Sequence, residues 1–245
     1  MTNGTKKTML IIEESALTQI VMSSLESYVI GDVKNRSGKI ETYGLLWGTN
    51  TIQSEFGETV HFYHVTDVST DTSAKRKKDC VESDLSSIEL KRDIQRAINP
   101  TKALIGDFHS HPYSMEDGVE ISDIRSQKLY EFSEQDHNSY TGNANFYKTA
   151  GLTISLVATV LPAKNQMSYI NAKFTNAKLN NSFEFCLSNY RIWITGYRAH
   201  YSDDGTLQML DDLLIHCPYI FGLQFPLMNF GYYSKEGSHQ NYEFQ

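Results

Sequence analysis

The sequence contains few cysteines, and they are not spaced for a covalent or thiolate-metal framework. Cys80, Cys186 and Cys217 are odd in number and form no C-x-x-C pair. A disulfide-stabilised fold needs paired cysteines, and a zinc site built of thiolates needs closely spaced ones. We therefore expect three free thiols, which agrees with a reducing compartment.

The sequence also lacks an excess of basic charge and any long apolar run. Twenty-two Lys and Arg residues against 29 Asp and Glu residues give a net charge of −7, the reverse of the balance typical of duplex-binding proteins. No apolar run approaches the roughly 18–20 residues that span a bilayer. The N-terminal apolar stretch is too short for a secretory signal. We expect a cytoplasmic protein with neither nucleic acid nor membrane among its partners.

The composition is that of an ordinary globular protein. With 40% hydrophobic and 21% charged residues over 245 positions, intrinsic disorder is excluded, and one large domain or one domain with an appendage is expected. Hydrophobic periodicity alternates between strand and helix patterns, which predicts an α/β fold. Strands are predicted at residues 8–13, 40–47, 60–68, 103–108 and 152–161, and helices from residue 15 and at 83–98 and 123–132.

Two stretches are harder to interpret. Residues 133–149 have weak periodicity and are long for a plain connection, so a functional or mobile loop is predicted. After about residue 176 the sequence becomes aromatic, and residues 207–215 have a helix-like pattern. We divide the chain into a domain at 1–175 and a C-terminal extension at 176–245, which forms either a small subdomain or more strands of the same sheet.

The chemistry is concentrated where the strand at 103–108 runs into His109-Ser110-His111-Pro112. Side chains two apart on a strand share a face, so the two imidazoles can converge on one ion. Asp123, at the start of the next helix, supplies a third ligand. Two nitrogens and one oxygen leave a coordination position of Zn²⁺ open for water, which is the pattern of a catalytic zinc site.

A metal-activated water needs a nearby base that is not itself a ligand. Glu41 opens the apolar strand at 40–47, where alternation places it on one face with Tyr43, Leu45 and Trp47. It is the candidate base. The alternative is a solvated glutamate at the end of a strand.

These residues together resemble a known family. Glu41-x-x-Gly44-Leu-Leu-x-Gly48, the His109-Ser-His111-Pro stretch and Asp123 are similar to the pattern E-x(n)-H-S-H-P-x(n)-S-x-x-D of the JAMM (MPN-plus, or JAB) metalloproteases. The resemblance covers about residues 8–175. It implies the MPN fold, a cytidine-deaminase-like α/β arrangement in which helices flank a curved mixed sheet.

The resemblance also implies an activity. His109, His111 and Asp123 would be zinc ligands, and Glu41 the general acid and base. The expected enzyme is a metallopeptidase that cleaves after the C-terminal Gly of a ubiquitin-like protein, in precursor processing or deconjugation. The expected partners are a bacterial or phage-type ubiquitin-like protein, its conjugates and the conjugation enzymes of the same system, such as an antiphage system.

One position departs from the family pattern. The family serine lies three residues before the aspartate and helps to stabilise the oxyanion, but Glu120 occupies that position here. Ser122 is the first candidate for the role, with Ser114 and Glu120 as alternatives, and Ser122 is equally well placed to cap the following helix. Asp117 is the reserve third ligand.

Two other functions remain open. The chain could be a catalytically weak MPN scaffold subunit, which would contain little zinc. It could also be a zinc peptidase that acts on small peptides, cell-wall fragments or carrier-protein tails.

Overall fold

The apolar stretches of the sequence form the strands of a mixed sheet, and amphipathic stretches form the helices beside it. The computed structural model describes residues 6–31, 39–55, 58–78, 80–167, 172–175, 180–220, 231–233 and 239–241. The helices are α1 (Glu14–Val29), α2 (Leu85–Ile98), α3 (Ile121–Ser126), α4 (Glu134–Gly142) and α5 (Ala144–Ala150). The strands are β1 (Lys6–Ile12), β2 (Tyr43–Glu55), β3 (Glu58–Thr70), β4 (Lys75–Arg76), β5 (Val81–Glu82), β6 (Ala103–Pro112), β7 (Ile154–Met167), β8 (Lys173–Phe174), β9 (Ser182–Tyr201), β10 (Leu207–Leu210), β11 (Leu213–His216), β12 (Gly231–Tyr233) and β13 (His239–Asn241).

The large sheet is curled and mixed, and helices flank it. Its strand order is β10-β9-β7-β6-β2-β3-β1-β11, with β8 paired to β9. β6 runs parallel to β7 and antiparallel to β2, so it lies in the middle of the sheet. Two short antiparallel pairs, β4–β5 and β12–β13, lie outside the large sheet. This arrangement is the predicted α/β class.

Each face of the sheet carries its own apolar cluster. Alternation along β2 sends Leu46 to the face covered by α1 and Leu45 to the opposite face, as the period of two requires. α1 buries Leu17, Ile20 and Val21 against the first face. The second face, which includes aromatic side chains of α4 and α5, also carries the candidate site.

The sheet extends across the predicted domain boundary near residues 176–181. β9 pairs with β7 and β11 pairs with β1, so residues 182–216 add strands to the same sheet. The predicted helix at 207–215 is wrong, because this segment forms β10 and β11. Leu213 and Ile215 alternate onto a buried face, where they contact the position of Gly196. Of the extension, residues 176–179, 221–230, 234–238 and 242–245 lie outside the described part.

Residues 133–149 form helices and not the predicted loop. α4 and α5 follow each other with Asn143 between them. Their periodicity is weak in sequence because α4 buries Tyr140 alone, while α5 buries Tyr147 and Ala150.

The helix predicted at 83–98 is present as α2, but its packing differs from expectation. Leu90, Ile94 and Ile98 form the apolar face of the pattern, yet they are 62%, 49% and 78% exposed. Ile88 is the side chain that α2 buries.

No helix in the described part of the chain is both long and apolar enough to cross a membrane.

Candidate metal centre

β6 presents two histidines on one face of the sheet. His109 and His111 are two residues apart near the end of β6, and their side chains are 5% and 8% exposed. Their Nε2 atoms lie 3.2 Å apart. The strand period alone brings the two nitrogens together.

The third member of the group is Asp136, from the first turn of α4. Its Oδ1 lies 3.3 Å from Nε2 of His109, and its Oδ2 lies 3.2 Å from Nε2 of His111. The backbone N–H and the hydroxyl of Ser133 each donate to Oδ2 at 2.7 Å. The N-cap of α4 therefore holds the carboxylate toward the histidines.

This group has the composition and spacing of a metal site. One ligand atom from each of His109, His111 and Asp136 lies within 4.8 Å of the others. Ligands about 2.0 Å from a tetrahedral zinc are about 3.3 Å from one another. The three nearest distances between the donor atoms match that spacing, so the buried His-His-Asp group could hold a metal ion.

The charges within the group favour binding of a cation. Burial alone would raise the pKa of Asp136, but hydrogen bonds and charge from the two histidines lower it strongly, so the carboxylate stays ionised. Burial lowers the pKa of His111 below its ordinary value. Burial also opposes protonation of His109, but Asp136 and Glu41 outweigh it and raise that pKa. Ligation requires an ionised carboxylate and neutral imidazoles, so metal binding here would release a proton.

The structure places the predicted third ligand outside the His-His-Asp group. Asp123 lies in the first turn of α3, where its Oδ2 accepts a hydrogen bond from the backbone N–H of Glu120 at 2.8 Å. Its carboxylate therefore caps α3 and is not part of the His-His-Asp group. The reserve candidate, Asp117, instead accepts from Lys78 at 2.8 Å and from Ser114 at 2.9 Å.

The residues predicted for the oxyanion have other neighbours in the structure. Glu120 is the N-cap of α3, so Ser122 is not the cap, and Ser122 is exposed. Ser122 and Glu120 line a groove of about 460 Å³ beside α3 and β7. Ser114 is buried and contacts Asp117.

A signal for Asp136 was present in the sequence. Ser133-Glu134-Gln135-Asp136 has the S-x-x-D spacing of the family pattern. It follows the histidines after a longer interval than Asp123 does, and the weak periodicity of residues 133–149 concealed the helix that brings it back. Ser114-Met115-Glu116-Asp117 has the same spacing closer to the histidines, so the spacing alone does not choose between these two pairs.

Glu41 lies beside the His-His-Asp group, two residues before β2 begins at Tyr43. It is 7% exposed and lines a pocket of about 60 Å³ together with His109 and Asp136. Its backbone N–H donates to the carbonyl of Lys77 at 2.7 Å. The buried position excludes a fully solvated glutamate.

Ser110, between the two histidines, fixes the segment that carries Glu41. Its backbone N–H donates to the carbonyl of Thr42 at 3.1 Å, and its Oγ accepts from the N–H of Thr42 at 3.0 Å. The histidine strand and the glutamate segment are thereby fixed to each other next to the His-His-Asp group.

Aromatic rings surround the histidines. The Phe132 ring centre lies 5.4 Å from that of His109, and Phe132 stacks on Tyr197 at 4.0 Å. Tyr113 contacts His111 edge-on at 6.2 Å. These rings exclude water from one side of the site, which strengthens electrostatic interactions within it.

Comparison with known proteins does not assign the chain to a family. No protein-family model matches it, and no curated protein matches it significantly.

Proposed function

We propose that this chain is a zinc-dependent metallopeptidase of the JAMM (MPN-plus) type. The observation that carries the proposal is the buried group of His109, His111 and Asp136, whose donor atoms have the mutual spacing of zinc ligands. The carboxylate of Glu41 in the same pocket supplies the base that a hydrolase requires. A curled mixed sheet with flanking helices is compatible with the MPN fold.

The corrected ligand set strengthens the resemblance on which the proposal draws. With Asp136 in place of Asp123, the serine three residues earlier is Ser133, so the S-x-x-D element is complete. The Ser133 hydroxyl contacts the Asp136 carboxylate. Ser133 therefore replaces Ser122 as the serine of the proposed site.

The residues of the site have distinct roles in the proposed reaction. His109, His111 and Asp136 would hold zinc, which supplies a Lewis acid that polarises a carbonyl and acidifies water. The Glu41 carboxylate takes up a proton from the attacking water and delivers it to the nitrogen of the leaving amine. Burial of Glu41 among Tyr43, Tyr140 and His109 keeps bulk water from competing for that proton.

An extended polypeptide is the substrate class that the surrounding surface fits. Pairing between β6 and β7 ends at Pro112 and Val160, while β7 continues to Met167 with β9 on one side. The groove of about 460 Å³ lies along Leu161–Lys164 of β7 and opposite α3. A peptide strand laid along this part of β7 would continue the pairing that β6 no longer provides. We propose the glycine-ended tail of a ubiquitin-like protein as this peptide.

The test separates the base from the metal ligands. A ubiquitin-like domain ending in Gly is joined to a reporter through either a peptide bond or a lysine isopeptide bond, and cleavage is followed by electrophoresis. We expect the wild-type protein with zinc to cleave. Glu41→Gln should keep one zinc per chain and lose cleavage at least about 100-fold, the lower range of general base contributions. His109→Ala should lose both.

The contradicting outcomes are equally specific. Full cleavage by Glu41→Gln would remove Glu41 from the mechanism. Zinc-loaded wild-type protein that cleaves neither substrate, but does cleave short unstructured peptides, would overturn the ubiquitin-like substrate.

A further inference from the structure

A buried carboxylate lies on the same face of β6 as the histidines, and the proposed chemistry does not use it. Asp107 is two residues before His109 and is 0% exposed. The hydroxyl of Tyr43 donates to its Oδ2 at 3.2 Å. The hydroxyl of Tyr140 donates to its Oδ1 at 3.2 Å and also contacts the hydroxyl of Ser155, which donates to the same oxygen.

The spacing of Asp107 and His109 on the strand matches a spacing on α4. Tyr140 follows Asp136 by four residues, so both side chains lie on one face of the helix, one turn apart. Two residues of strand advance about 6.6 Å, and four residues of helix advance about 6 Å. The strand and helix therefore meet at two levels, one through His109 and Asp136 and the other through Asp107 and Tyr140.

α4 also contacts its surroundings through His137, whose ring packs edge-on against Phe132 and Tyr197, and through Thr141, whose hydroxyl donates to the carbonyl of Leu207 at 3.4 Å. The helix is nine residues long, its sequence is EQDHNSYTG, and Tyr140 is its buried side chain. The Tyr140 ring stacks on Phe132 with centres 5.1 Å apart. Stacking permits sliding in the plane of the rings, whereas a hydrogen bond to a buried carboxylate fixes the hydroxyl.

We propose that Asp107 and Tyr140 are positioning residues, and that their hydrogen bond sets the depth of α4 and so holds Asp136 at ligand distance from His109 and His111. The inference rests on the metal site of the proposed function and is independent of its substrate. Removing a residue that hydrogen-bonds to metal ligands or orients them commonly lowers metal affinity 10- to 100-fold.

The hydroxyl groups remain donors under ordinary conditions. Burial raises the pKa of both Tyr43 and Tyr140 well above its ordinary value. Tyr140→Phe leaves Asp107 with its bonds from Tyr43 and Ser155, so this variant keeps the carboxylate partnered and should fold.

The test measures metal affinity directly. Zn²⁺ is titrated against a chromophoric chelator, and the visible absorption of Co²⁺-loaded protein reports the geometry of the ligands. We expect Tyr140→Phe to bind Zn²⁺ about tenfold or more weakly and to change the Co²⁺ spectrum. Tyr28→Phe removes the hydroxyl of a buried tyrosine of α1, on the opposite face of the sheet, and should change neither.

Conservative and disruptive changes at Asp107 give a second readout. Asp107→Asn keeps an oxygen that accepts from Tyr140, so it should retain Zn²⁺ affinity within about threefold. Asp107→Ala removes that oxygen but leaves the Tyr140 hydroxyl in contact with Ser155, so it should lose affinity, and by less than Tyr140→Phe does.

The outcomes separate this inference from the proposed function. Wild-type affinity and an unchanged Co²⁺ spectrum in Tyr140→Phe would overturn the positioning role and leave the metallopeptidase proposal standing. Weaker binding in Tyr140→Phe together with absent cleavage by the wild-type protein would support the positioning role and overturn the peptidase. Wild-type protein that binds no Zn²⁺ would overturn both.

Discussion

At the scale of single residues, the side chains of one strand can be predicted from the sequence, but a side chain brought in by a distant element cannot. His109 and His111 follow from the strand period alone, because side chains two apart must share a face. Asp136 depends on the return of a distant helix to β6, which no local period encodes. Asp123 has the right residue type near the expected interval, but its carboxylate caps its own helix. Local spacing thus identified the two histidines on one strand but not the carboxylate that another element brings beside them.

Gly106 shows how closely the histidine strand packs. An added Cβ there would lie 1.8 Å from the carbonyl oxygen of Ile154 on β7, a distance that requires the backbone to shift. We expect Gly106→Ala to lower the free energy of unfolding by about 1–3 kcal/mol. Urea unfolding followed by circular dichroism measures the change.

Gly142 provides the matched control for that substitution. An added Cβ at Gly142, the last residue of α4, meets no atom within 4 Å. Because alanine is the better helix former, Gly142→Ala should leave stability unchanged or raise it by up to about 1 kcal/mol. Equal losses in the two variants would contradict close packing at Gly106.

At the scale of elements, buried strands were predictable and edge or cap-dependent elements were not. The apolar runs at 103–108 and 152–161 coincide with β6 and β7, because burial on both faces leaves an unmistakable pattern. α4 depends on its Ser133 cap and on Tyr140, which carry little periodicity. β10 and β11 are short, so their apolar residues fit the period of a helix as well as that of a strand. Their pairing partners decide between the two.

α3 is joined to the sheet by an ion pair whose carboxylate is buried. Arg125 of α3 donates to Glu184 of β9 through Nε at 2.9 Å and Nη2 at 2.5 Å, and the Glu184 side chain is 1% exposed. Burial alone would raise the pKa of Glu184, but Arg125 and Lys173 outweigh it and lower that pKa. The lowered pKa means that Glu184 favours the folded state while it is ionised.

The pH dependence of stability should reveal this pair. The contribution of Glu184 is complete above the unfolded pKa of about 4.5 and is lost as the pH falls through the lower folded pKa. We expect Glu184→Gln to lower stability at pH 7 by about 1–3 kcal/mol, since it weakens charged hydrogen bonds to Arg125 and Lys173, whose side chains are partly hydrated at 42% and 54% exposure. Below about pH 4.5, the unfolding temperature of this variant should fall less steeply with decreasing pH than that of the wild-type protein.

An exposed pair serves as the control. Glu82→Gln breaks the contact of Glu82 with Lys75 at 3.4 Å, where both side chains are more than half exposed. The expected cost is below about 1 kcal/mol. Equal effects of the two substitutions on thermal unfolding at pH 7 would contradict a structural role for the pair of Arg125 and Glu184.

At the scale of the whole molecule, the order of the main strands and of α1, α2 and α3 was predictable up to residue 175, but α4, α5 and the organisation beyond residue 175 were not. The sequence left two arrangements open for the extension, and residues 182–216 form strands of the same sheet. Their places beside β7 and β1 depend on pairings between distant segments, and a single sequence carries no direct signal for those.

The most direct test of the proposed metal centre compares two aspartates with the same local role. Asp136 and Asp123 are each the third residue of a helix and accept a hydrogen bond from the N-cap N–H, at 2.7 and 2.8 Å. Asp136→Ala and Asp123→Ala therefore remove the same type of cap, and each should cost about 0.5–2 kcal/mol of stability.

Zinc content after dialysis and Zn²⁺ affinity by chelator competition then distinguish the two variants. We predict one zinc per chain in the wild-type protein and in Asp123→Ala. In Asp136→Ala, Zn²⁺ affinity should be more than about 100-fold weaker. The loss of a ligand should lower affinity by more than the loss of a residue that only orients a ligand. Retention of zinc by Asp136→Ala together with its loss from Asp123→Ala would contradict the metal centre described here.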